Sequence, residues 1–135
     1  MSEDLEVLFD CARYNDLETL KSVVTEKSLV INGLFDEYKN SLAHYSAANN
    51  SLDVLRFVTE NSTKEYFDSK NESGNTPLHW ASLNGHVGVV KHLLELGCDY
   101  NAENMFGLTP IDEAIRREFT EVMEVYSSFC APADE

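Results

Sequence analysis

One stretch of twelve residues, GNTPLHWASLNG at 74–85, recurs along the chain. A recurring unit of this length restricts a sequence to folds that stack one supersecondary element on copies of itself. Moved forward by 33 residues the stretch lies on GLTPIDEAIRRE, matching Gly74 to Gly107, Thr76 to Thr109, Pro77 to Pro110 and Ala81 to Ala114. Moved back by 35, TPLHWAS lies on SLAHYSA, matching His79 to His44 and Ala81 to Ser46. A further 35 back, CARYNDLETLKSVV places Cys11 at the small-residue position and Asn15 where Gly85 stands.

Each copy leads into a segment with apolar residues at helical spacing: DLETLKSVV, SLDVLRFV, HVGVVKHLL and FTEVMEVY. Every unit therefore reads as helix, short turn, helix, followed by a connection bearing Gly or Asn, such as ELGCDYNAENMFG. Four units, at roughly 4–35, 36–70, 71–103 and 104–128, nearly exhaust the 135 residues. The expectation is a single all-α domain over 1–135. The longer connections within VTEKSLVINGLFDEYKN and TENSTKEYFDSKNES should bulge beyond the standard unit.

Within the unit the residues have local reasons. Thr76 caps orphan backbone donors at a helix start, Pro77 tolerates the first helical position, and Gly74 allows the preceding turn. Leu78 and Ala81 share one helical face, where a small residue lets the paired helix approach.

Chemistry finds little support in the same residues. Ser82 and His79 are three apart, but no nucleophile elbow, orienting acid or glycine-rich phosphate cradle accompanies them, so no catalytic residue is assigned. His86, His92 and Cys98 follow at intervals of six, neither the helical nor the short-loop spacing of a tight metal site, so no metal and no cofactor is expected. Asp112, Glu113, Glu118, Glu121 and Glu124 read as a solvated acidic face.

Acidic residues outnumber basic ones 24 to 10, for a net charge of −14, and both ends are more acidic than the middle. A field of that sign repels phosphate backbones, which excludes direct nucleic-acid binding and anionic membranes and favours a basic protein partner. Acidity that merely keeps a small domain soluble is the plainer alternative. Cys11, Cys98 and Cys130 form no paired spacing, which points to a reducing compartment. With no secretory signal pattern and no apolar run of membrane-spanning length, the expected setting is cytoplasmic and nuclear.

The pattern closely resembles the ankyrin repeat, and residues 71–102, NESGNTPLHWASLNGHVGVVKHLLELGCDYNA, match it almost throughout. The resemblance implies a monomeric solenoid with short hairpin-like loops, its first and last units acting as caps. It also implies that His79 is a bracing residue, bonded to Thr76 and to a backbone group of a neighbouring unit. Asp112 in place of the His suits a terminal cap.

Partner contacts in the family come from hairpin tips and inner helices. Carried over by position, these are Glu72, Ser73, Asn75, Trp80, Leu83 and Asn84 in unit three. Unit four offers Met105, Phe106, Leu108, Arg116 and Arg117; unit two offers Glu37, Tyr38, Asn40, Tyr45, Ala48 and Asn49. Aromatic anchors with a polar rim suit a protein interface. Trp80 reads equally as contact or packing residue, and Phe106 and Leu108 read alternatively as a cover over the last unit.

Within the family, SGNTPLHWASLNGHVGVVKHLL, the longer connection before it and NMFG are similar to small fungal ankyrin proteins that chaperone a ribosomal protein. That likeness implies a non-enzymatic escort of a basic small-subunit ribosomal protein, the KH-domain protein three. The competing reading is an adaptor in signalling or transcriptional regulation.

Overall fold

A computed structural model describes residues 2–130; residue 1 and residues 131–135 of the expected domain lie outside the described residues. The helices are α1 (Glu3–Tyr14), α2 (Leu17–Glu26), α3 (Leu42–Ala48), α4 (Leu52–Glu60), α5 (Lys64–Phe67), α6 (Pro77–Leu83), α7 (Val87–Glu95), α8 (Pro110–Arg116) and α9 (Thr120–Cys130). Helices α1, α3, α6 and α8 line up as an inner row, and α2, α4, α7 and α9 pack behind them as an outer row. This is the all-α solenoid of four helix-turn-helix units that the repeat predicts.

Each inner helix starts and stops for a local reason. Ser41, Thr76 and Thr109 accept the backbone N–H three residues on, and His44, Asp112 and His79 return the favour to the cap's own N–H. These reciprocal capping boxes satisfy two orphan donors at each start. At the stop, Asn15, Asn50, Gly85 and Glu118 occupy equivalent places with φ between 56° and 72°. That left-handed turn folds the outer helix back, and only Gly85 adopts it without steric cost.

The outer helices bury one stripe each: Val54, Leu55 and Val58 in α4, Val89, Val90 and Leu93 in α7, Val122 and Tyr126 in α9. At roughly 1.5–3 kcal/mol per fully buried large apolar side chain, this layer supplies much of the drive to stack.

The two longer connections do not hang loose. Ile31 is buried in a 3-10 turn, Ile31–Gly33, and α5 folds Tyr66 and Phe67 into the core. The Tyr66 hydroxyl donates to the Leu34 carbonyl at 2.6 Å and accepts the Leu42 N–H at 2.9 Å. Asn32 Oδ1 accepts the Thr63 N–H at 2.9 Å and ties one insertion to the other. The bulges are thus packed extensions of the core.

Units are joined by a histidine rung. His44 bonds the Asn75 carbonyl and His79 the Leu108 carbonyl, each at 2.8 Å through Nε2. Asp112 keeps only the capping half of that role, accepting the Thr109 N–H at 2.9 Å. A carboxylate there closes its own helix start without reaching onward.

Candidate protein-binding surface

The repeat places Asp10, Tyr45, Trp80 and Glu113 at equivalent positions on successive inner helices. The two central members are aromatic and half-buried. Their rings lie 6.0 Å apart, edge to face, with Phe9 packed on the other side of Tyr45 at 5.0 Å and the His44 ring 5.2 Å from Trp80. Such T-shaped contacts favour a fixed aromatic platform.

The row one turn further on is Arg13, Ala48, Leu83 and Arg116. Each outer member turns back on its own acid: Arg13 Nη1 lies 2.7 Å from Asp10, and Arg116 Nη1 lies 2.9 Å from Glu113. Arg13 also sits 4.6 Å over the Tyr45 ring. The face is therefore an apolar centre of Tyr45, Trp80, Ala48 and Leu83 between two acid–arginine pairs. Beyond it, Asn49 and Asn84 are exposed and donate to the Tyr45 and Trp80 carbonyls at the helix ends, and Arg117 is exposed beside them in sequence register.

The hairpin tips form the second part. Tyr38, Met105 and Phe106 are 58%, 66% and 76% exposed, and Glu72 and Ser73 lie exposed on the tip between them. Backbone rungs join successive tips, from Glu72 N–H to Tyr38 and from Met105 N–H to Ser73, both at 3.0 Å. Glu37 is likewise exposed.

Three readings of the sequence change. Phe106 does not cover the last unit, because its ring stands in solvent at the tip; Leu108 is half-buried, with its carbonyl committed to His79. Glu113 is not part of the solvated acidic face: it is 6% exposed, held by Asn104 Nδ2 and Arg116, both at 2.9 Å. Asn40 is buried and bonded to Asp36, Tyr45 and Asn71, so it offers no contact. Asn75, half-buried, has its carbonyl taken by His44 and its Oδ1 by Asn104.

A feature not found in the sequence is the row Asp36, Asn71 and Asn104 at the base of the hairpins. Each side chain accepts two backbone N–H groups of its own loop at 2.8–3.1 Å. Asn71 Nδ2 reaches Asn40 and Asn104 Nδ2 reaches Asn75 in the preceding unit. The same 33- and 35-residue shifts that align His44 with His79 align these three, which is the signal that could have found them.

His86 and His92 are engaged in the packing between units, and Cys11 and Cys98 are buried. His86 Nε2 lies 2.9 Å from the Ala48 carbonyl and His92 Nε2 lies 3.1 Å from Thr59 Oγ1. Burial pushes the Cys11 thiol up to about 11 and raises Cys98 further, so both stay protonated. Among the described residues no three metal-capable side chains converge, and no described helix is long and apolar enough to cross a membrane.

A family model for ankyrin repeats, in three copies, matches residues 8–104. Human transient receptor potential cation channel subfamily A member 1 is 29% identical over 91% of this chain, and the palmitoyltransferase AKR1 of Lachancea kluyveri is 33% identical over 62%. The chain spans only 10% and 11% of those two proteins. A chain in the crystal structure of the yeast ribosomal protein Rps3 in complex with its chaperone Yar1 is 28% identical with a TM-score of 0.85, covering 100% of this chain and 99% of that one.

Proposed function

The chain belongs to the ankyrin-repeat family, and from that premise we propose that it is a non-enzymatic chaperone that escorts a basic ribosomal protein, the KH-domain small-subunit protein three, during ribosome assembly. The observation that carries this reading is the extent of the likeness to the Rps3–Yar1 structure, end to end on both chains. The channel and the palmitoyltransferase share only an ankyrin portion about a tenth of their length, so their activities do not transfer.

The physical fit supports the same reading. A chain with net charge −14 attracts a basic client and screens its RNA-binding surfaces from premature contacts. The Tyr45–Trp80 centre offers apolar anchors, and the tips carrying Tyr38, Met105 and Phe106 extend the contact. An escort of this kind works in both cytoplasm and nucleus.

The test is a pull-down with the tagged chain from a eukaryotic extract at low and moderate salt. Recovery of one basic small-subunit ribosomal protein, falling as salt screens the contact, is the expected result. Recovery of signalling or chromatin proteins without it makes the adaptor reading primary.

A further inference from the structure

Asp36, Asn71 and Asn104 do the same work in their own hairpins, yet only one of them is charged. In units three and four an amide oxygen suffices for the loop, taking Ser73 and Asn75 N–H or Phe106 and Leu108 N–H. Asp36 Oδ1 does the same for Tyr38 and Asn40. The difference lies in the second oxygen: Asp36 Oδ2 accepts the Tyr45 hydroxyl at 2.5 Å and Asn40 Nδ2 at 3.1 Å. An asparagine would present an N–H donor where two donors already point.

Unit four makes the same tie with reversed polarity, the loop amide of Asn104 donating to the helix carboxylate of Glu113. Among the described residues, no hydrogen bond links Asn71 to Trp80 in unit three. Tyr45 and Glu113 are thus each fastened to the hairpin of their own unit.

We propose that Asp36 is a positioning residue for the binding face, whose carboxylate fixes the Tyr45 ring against Trp80 and the Tyr38 tip at the same time. This rests on the reading of that face as the client surface. Charge-assisted hydrogen bonds are the strong kind, and this one leaves the Tyr45 hydroxyl, which also accepts from Asn40 Nδ2 at 3.3 Å, turned toward the loop. Only the ring is then offered to a partner. Burial by itself would raise the Asp36 carboxyl, but the bonds from Tyr45, Asn40 and Tyr38 outweigh it and hold the group below the usual range, so it stays ionised.

The test is a double-mutant cycle of Asp36→Asn and Tyr45→Phe on two readouts. The first is the fluorescence of Trp80, the single tryptophan, in the free protein. The second is affinity for purified yeast Rps3. Asp36→Asn leaves a residue that the other two hairpins already use, so the loop should fold.

The expected result is a shift in Trp80 emission and about a tenfold loss of affinity in Asp36→Asn, a similar loss in Tyr45→Phe, and no further loss in the double variant. Additive losses, or a lowered melting temperature with unchanged emission and affinity, overturn the proposal. If Rps3 fails to bind the unaltered protein, the client reading falls. The positioning claim is then decided by whether the emission shift is present and non-additive.

Discussion

His79 spans the boundary between units three and four: its Nδ1 accepts the Thr76 N–H at 3.0 Å while its Nε2 donates to the Leu108 carbonyl at 2.8 Å. A backbone N–H can only donate, so Nδ1 carries no proton and Nε2 must. The ring is neutral, in one tautomer, and fully buried. Both ring nitrogens are committed to backbone partners, which braces one unit against the next.

Replacing His79 by Ala leaves the Thr76 N–H and the Leu108 carbonyl without partners in a buried setting. A loss of about 2–4 kcal/mol is expected. Urea unfolding reads it directly; an unchanged midpoint would contradict the bracing role.

Acid should act through the same rungs. Burial lowers His44 to about 4 and also lowers His79, in each case against the opposing pull of its carbonyl partner. In the unfolded chain both take up protons near pH 6.5. Between about 6.5 and 4 the unfolded state therefore binds protons that the folded state refuses, and stability falls as pH drops. Asp68, raised by burial, acts in the opposite direction toward the lower end. Urea midpoints that stay level from pH 7 to 4.5 would contradict the account.

Trp80→Ala should weaken client binding more than folding. The ring is half-buried and, among the described residues, makes no side-chain hydrogen bond, while it fills the centre of the inner face. At least a thirtyfold loss of affinity, about 2 kcal/mol, is expected of a central anchor. Unchanged affinity together with a large drop in melting temperature would return it to the core.

Gly74→Ala probes how closely the hairpins stack. Gly74 has φ +77°, and a Cβ there would meet the Met105 nitrogen at 2.9 Å and the Asn104 Cα at 3.0 Å. A cost of about 1–3 kcal/mol is expected, with loosening of the tip that carries Phe106. Hydrogen exchange at the Met105 amide, bonded to Ser73, is the local readout.

What could be read from the sequence is what neighbours in the chain determine. Thr76, Pro77 and His79 close a helix start by themselves, so their recurrence revealed the unit, and the family resemblance implied the role of His79. Glu113 illustrates the limit: its acidic neighbours in sequence suggested a wet face, whereas its burial depends on Asn104, nine residues away in the preceding loop. Tyr45 depends in the same way on Asp36. Tyr66 lies in an insertion that departs from the standard unit, so helical periodicity was silent about its place in the core.

The most direct measurement is calorimetric titration of the purified chain with yeast Rps3 at low and at moderate salt. The account predicts a saturable complex that weakens as salt rises, with the chain also suppressing aggregation of the free ribosomal protein. A folded chain that shows no binding at low salt, or leaves aggregation unaltered, would contradict the proposed escort role.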